Sequence, residues 1–161
     1  MKTRKLKTIT ATLIALGVLA GAAWAEQAAP TLALSPGLPL AHGKTLRGAF
    51  AESGTATAAG QGIASGISFG YTLAKPPVSH YVPSGTAPPP QCPGTVKLPQ
   101  ARPGNLCIYE AAFGNTTNRG EFDPVTGTLG ATPQRYGAGV YARATAPGNY
   151  YAKGTWAVSA P

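Results

Sequence analysis

The chain has 161 residues, of which only 11% are charged: thirteen Lys and Arg stand against five Asp and Glu, for a formal net charge of +8. The basic residues past the N-terminus stand singly, which argues against a nucleic-acid footprint, and two histidines without an i+4 partner argue against a metal centre of three or four converging ligands. Twenty-one glycines and sixteen prolines disfavour long surface helices and suit short strands joined by many turns.

Lys2, Arg4, Lys5 and Lys7 precede a mostly apolar stretch over residues 9–22, and Ala23-Trp24-Ala25 fits a small-x-small cleavage site. This pattern predicts a signal peptide over residues 1–25 and a mature chain beginning at Glu26. The apolar run falls short of the ~20 residues of a spanning helix, so no membrane span is expected after cleavage. Cleavage removes four basic residues, leaving nine against five acids, a net charge of +4. Residues 26–43 read as a flexible linker, with an edge strand at Leu32 and Leu34 as the second reading. One domain over residues 44–161 follows.

A strand pattern opens at Lys44. Leu46, Gly48 and Phe50 share one face, and Thr45, Arg47 and Ala49 the other. Gly54 to Gly62 reads as a loop. Ile63, Ser65, Ile67, Phe69, Tyr71 and Leu73 then line one face of a second strand, with small residues opposite. Lys75-Pro76-Pro77 ends it. Ser79 to Val82 is a short strand, and the seven prolines of Pro83 to Pro103 demand an irregular loop.

Asn105 to Phe113 returns to strand, with Leu106 and Ile108 on one face and Cys107, Tyr109 and Phe113 on the other. Asn115 to Gly120 reads as a polar turn. Asp123 to Gly127 is a second turn, and Thr128 starts a short strand. Tyr136 to Thr145 and Tyr150 to Val158 flank the turn Ala146-Pro147-Gly148-Asn149, which predicts a β-hairpin. Its inner face holds Val140, Tyr150, Trp156 and Val158.

The fold class that follows is all-β: an antiparallel β-sandwich, jelly-roll or immunoglobulin-like. Two cysteines in an exported chain read as one structural disulfide, Cys92 to Cys107. It staples the Pro-rich loop, with a chain-entropy contribution of about 3 kcal/mol.

Catalytic signals are sparse. The attractive carboxylate pair is Glu110 with Glu121 or Asp123, as a glycosidase would need, but Glu110 reads equally as the point where its strand meets solvent. No nucleophile elbow or phosphate-binding loop occurs. No metal ligand set and no cofactor are expected. On the outer face of the predicted hairpin, Tyr141 and Arg143 with Tyr151 and Lys153 form an aromatic-basic strip suited to sugar rings or a protein partner. The plainer reading is that a second layer or a neighbouring subunit covers it.

Cys92-Pro-Gly-Thr-Val96, the segment Pro103 to Glu110 and the ending Gly154-Thr-Trp-Ala-Val-Ser-Ala160 resemble exported bacterial β-rich domains of uncharacterised function. The resemblance covers the C-terminal half to two-thirds and implies a compact extracellular or periplasmic domain, with no site residues to carry over. The expected function is a secreted, non-enzymatic module for binding, adhesion or surface structure, with a glycan or a cell-surface protein as partner. The rival readings are a secreted glycan-active hydrolase and a subunit of an extracellular oligomer.

Overall fold

The computed structural model describes residues 37–161; the expected signal peptide and most of the expected linker lie outside the described residues. Among the described residues there is no helix, hence none long and apolar enough to cross a membrane. Seven strands form instead: β1 (Thr45–Ala56), β2 (Gly62–Ser68), β3 (Val78–Val82), β4 (Asn105–Gly114), β5 (Thr116–Phe122), β6 (Gly137–Ala144) and β7 (Gly148–Ser159). They make two sheets, one in the order β1-β7-β4-β3 and one in the order β2-β6-β5. All pairings are antiparallel except β3 with β4.

Strand periodicity decides what faces inward. Phe50, Leu106, Ile108, Trp156 and Val158 from the four-stranded sheet meet Ile67, Ala138 and Val140 from the three-stranded sheet in one core. Phe69 and Trp156 pack with ring centroids 5.8 Å apart. A fully buried side chain of this size stabilises the fold by about 1.5–3 kcal/mol. Along the centre of the four-stranded sheet β7 narrows to Ala152 and Gly154. A methyl group on Gly154 would fall on the Tyr109 carbonyl and the Phe50 ring, so the close approach requires glycine.

The expected hairpin does not form. β6 pairs with β2 and β5, while β7 pairs with β1 and β4. The turn at Ala146-Pro147 is an arch that carries the chain from one sheet to the other. The four residues assigned to its inner face are all buried, but Val140 lies in the three-stranded sheet and the other three in the four-stranded one. β1 to β2 and β4 to β5 are joined by arches of the same kind.

Two further expectations change. The loop expected from Gly54 begins only after Ala56, because Gly54, Thr55 and Ala56 continue the ladder to Tyr150, Asn149 and Gly148. The polar turn at 115–120 contracts to Asn115, and β5 follows at once. Asn115 and Asn118 have φ of 50° and 47°, a conformation that Asn tolerates better than most residues. The first turns the arch; the second lies within the register shift between Thr117 and Gly120.

Asn115 also fastens that end of the molecule. Its Oδ1 accepts from Thr145 Oγ1 and Ala146 N, and its Nδ2 donates to the carbonyls of Ala146 and Asn149. The β4–β5 and β6–β7 arches are thereby tied together. The β1–β2 arch joins them through Gly60 N to Ala144 O and Ala144 N to Gln61 O, each 2.8 Å.

Cys92 and Cys107 are bonded, with Cα atoms 5.6 Å apart. The disulfide is compatible with an oxidising, extracytoplasmic location. The stapled loop lies on the outer face of the four-stranded sheet. Arg47 Nε donates to Pro99 O, Thr155 Oγ1 to Val96 O and Tyr109 OH to Gln100 O, at 2.7, 2.8 and 2.6 Å. Cys92, Cys107, Val82 and Tyr109 form a second small core beneath it, so β4 is covered on both faces. At the other end of the domain, Thr72 N donates to Leu38 O and Leu40 N to Thr72 O, both at 3.0 Å. Residues 38–40 are held against the domain.

Candidate functional site

The carboxylates come first, because a hydrolase would need them. Glu110 does not mark the edge of solvent. It is 1% exposed, on the inward parity of β4 with Leu106 and Ile108. It is buried because β5 brings it a cation across the core: Arg119 Nε reaches Oε1 at 2.5 Å and Nη2 reaches Oε2 at 3.4 Å. Tyr81 OH donates to Oε1 at 2.8 Å and Ser84 N to Oε2 at 2.9 Å. Arg119 also donates to Thr116 O and lies over the Phe113 ring, 3.6 Å from its centroid. Burial, reinforced by the Glu110 carboxylate, holds the Tyr81 hydroxyl far above the usual phenol range.

The other two carboxylates are also engaged. Glu121 accepts from Ser79 Oγ at 2.9 Å. Asp123 caps its turn, accepting from Val125 N, Thr126 Oγ1 and Gln134 Nε2. These bonds, led by the one from Gln134, hold its carboxyl below the usual aspartate value. All three serve the fold with both oxygens or with a hydroxyl partner. Of the histidines, His80 Nε2 bonds Asn105 Oδ1 at 2.9 Å. Among the described residues no group of three or more His, Cys, Asp and Glu could hold a metal ion.

Tyr141, Arg143, Tyr151 and Lys153 all point outward, but on different sheets. Tyr141 and Arg143 belong to β6 of the three-stranded sheet, and Tyr151 and Lys153 to β7 of the four-stranded one. No single strip joins the four. Each tyrosine instead covers a glycine directly across the ladder. Tyr141 lies against Gly120, its register partner, and edge-on to Phe122; Tyr151 lies against Gly114, also its partner. Phe122 over Gly139 and Trp156 over Gly48 repeat the arrangement. Arg143 Nη1 donates to Gly60 O, and Lys153 Nζ stands 6.0 Å from the Tyr151 ring.

Two other exposed tyrosines border hollows in the surface. Both fall on the parity that points toward the core. Both escape it, because Gly70, at φ 69°, turns the chain outward and Tyr136 precedes β6. Tyr136 is 53% exposed and Tyr71 39% exposed. The backbone at Tyr136 is fixed, since its carbonyl accepts from Phe69 N at 3.0 Å. A hollow of about 210 Å³ lies between the two rings, floored by Gly37, Ser68, Gly70 and Thr72. A second hollow of about 270 Å³ shares Tyr136 and Ser68 and extends to Pro124 and Gly66. No charged side chain lines either. Each tyrosine touches a glycine in sequence at the end of a strand segment, and that juncture is the signal the alternation obscured.

A third concavity, about 240 Å³, lies under the stapled loop between Pro83, Pro88, Val96 and Tyr109. Its hydroxyls are turned to local bonds. Thr86 Oγ1 donates to Pro83 O, Thr95 Oγ1 accepts from Leu98 N and Ser84 Oγ donates to Ala111 O. Comparison of the chain with known protein families, curated proteins and solved structures gave no match. The reading of the site therefore rests on its own geometry.

Proposed function

We propose that the chain is an exported, non-enzymatic binding module of the β-sandwich class, with a neutral glycan as ligand and the Tyr71–Tyr136 surface as its site. The core shared by the two sheets supports the sandwich reading. One observation carries the function: two open tyrosine rings border adjoining, uncharged hollows floored by small residues. A tyrosine supplies a rigid apolar face with a polar tip. Glycine, serine and threonine around it leave room and hydrogen-bonding groups for the hydroxyls of a sugar ring. Tyr141 and Tyr151, which cover glycines, are the weaker platforms.

The test is a screen of the protein against a broad panel of neutral oligosaccharides, followed by titration of any ligand found. Tyr136→Ala is expected to weaken binding about tenfold or more, by the worth of one aromatic contact. Tyr141→Ala is expected to leave it unchanged. A panel without a single ligand, or binding indifferent to Tyr136, overturns the proposal.

A further inference from the structure

Glu52 has no place in that function, yet its position is unusual. It lies on the inward parity of β1 and is 6% exposed. β1 pairs only with β7 and so forms one edge of its sheet. Across the core from it runs β2, the edge of the other sheet. The two strands are joined by an arch and run in opposite directions. A methyl group on Gly54 would touch Ile63, and Phe50 and Ile67 share the main core. One side-chain repeat along each strand from the Gly54–Ile63 approach, on the same inward parity, stand Glu52 and Ser65. Among the described residues, the buried side-chain atoms left without any hydrogen-bond partner are Glu52 Oε2 and Ser65 Oγ.

Two orphaned polar atoms facing each other from two edge strands are a matched pair. A serine hydroxyl can accept from a neutral carboxyl group or donate to a carboxylate, so what sets the two states apart is the cost of burying a charge that no cation answers. We propose that Glu52 and Ser65 form a proton-controlled seam between β1 and β2: the neutral carboxyl group closes on the serine hydroxyl, directly or through one internal water, and release of its proton to solvent opens the seam.

The surroundings leave ionised Glu52 without support. β2 and β6 present no ionisable side chain to the core. β7 presents Tyr150, and β3 presents Tyr81, whose hydroxyl is bound to Glu110. β4 presents Glu110 itself, a like charge. β5 presents Glu121, another like charge, and Arg119, which gives two nitrogens to Glu110 and a third donor bond to Thr116 O. With no cation free to answer it, burial pushes the Glu52 pKa up to about 7 from the ordinary 4.5. The sign follows from this. The proton is held in the folded state up to about pH 7 and lost above it, so the seam is closed in mild acid and opens as pH rises.

The experiment follows the full chain by carboxyl NMR titration and by amide hydrogen exchange corrected for intrinsic base catalysis. Glu52 is expected to titrate well above the ordinary glutamate value. As it ionises, protection of β1 and β2 amides is expected to fall about tenfold or more relative to β4. Glu52→Gln is expected to abolish that differential loss. Ser65→Ala removes the hydroxyl that faces Glu52 and is expected to move the Glu52 midpoint. A Glu52 midpoint at the ordinary glutamate value overturns the proposal, as does equal loss of protection in β1, β2 and β4. A midpoint indifferent to Ser65→Ala does the same. The wild-type titration and Ser65→Ala keep the test decisive if Glu52→Gln does not fold.

Discussion

Glu110 and Glu52 stand on either side of β7, on the same face of the same sheet, opposite Gly154 and Ala152 in the ladder. Both are buried. One accepts hydrogen bonds from Arg119, Tyr81 and Ser84; the other leaves an oxygen without a partner. The difference is topological. β4 continues through the Asn115 arch into β5, which carries Arg119 back over the core, and the start of the stapled loop supplies Ser84. β1 is an edge strand facing another edge strand; its one cation, Arg47, is turned outward to Pro99 O, and β2 has none. Burial sets the cost of a carboxylate, and what the neighbouring strands carry decides whether that cost is offset.

Removing the cation should make the favoured side resemble the deprived one. Arg119→Met leaves Glu110 buried without its ion pair and is expected to destabilise the protein by about 3–5 kcal/mol in chemical denaturation. Adding Glu110→Gln is expected to restore much of the loss, because no unpaired charge then remains. A single variant as stable as wild type would show that the pair contributes nothing, and the contrast between the two sides would collapse.

Cutting the staple probes the loop whose start, at Ser84, donates to Glu110. Cys92→Ser with Cys107→Ser is expected to cost about 3 kcal/mol, read from the denaturation midpoint. The loss should come from the loop side. The Glu52 titration should therefore keep its midpoint, and a shifted midpoint would mean that the two sides are coupled.

The smallest of these effects sharpens the deprived side. Glu52 ionises at 4.5 in the unfolded chain but only near 7 in the folded one. Its neutral form is thus favoured by folding, and stability declines as pH rises through that interval. Between about pH 5 and pH 8 the wild type is expected to lose about 2 kcal/mol from this group, and Glu52→Gln is expected to remove that slope. Parallel pH profiles for the two proteins would contradict it.

The alternation of side chains revealed which residues turn inward, because that is a local property of a strand. Val140, Tyr150, Trp156 and Val158 were assignable to the core from their spacing alone. So was the disulfide, since two cysteines allow one internal pairing. Partnership between strands is not local. An arch and a hairpin need the same turn residues, so Ala146-Pro147-Gly148-Asn149 marks a reversal without saying whether the sheet changes. Asn115 to Gly120 hides β5 for a related reason: its asparagines do bend the chain, but within a residue or two. Glu110 sits on an inward parity, yet a carboxylate is placed inside only when a partner is known, and Arg119 reaches it across the core. Tyr71 and Tyr136 were hidden by the opposite error, an inward parity extended past the ends of the strands.

The pairing of the first strand with the last has a consequence for how the fold is acquired. Thr45 is bonded in register to Ser159 and Ala56 to Gly148, while β7 also carries β4 on its other side. The four-stranded sheet therefore lacks its centre until the final twelve residues of β7 have been synthesised. Until then β1 has no ladder partner, and Asn115 has no second arch to tie. Contacts so distant in sequence make for slow, late folding. β1 and β4 stay apart in that sheet until β7 enters between them, and a chain without β7 would have two orphaned edges where the sheet should have its middle.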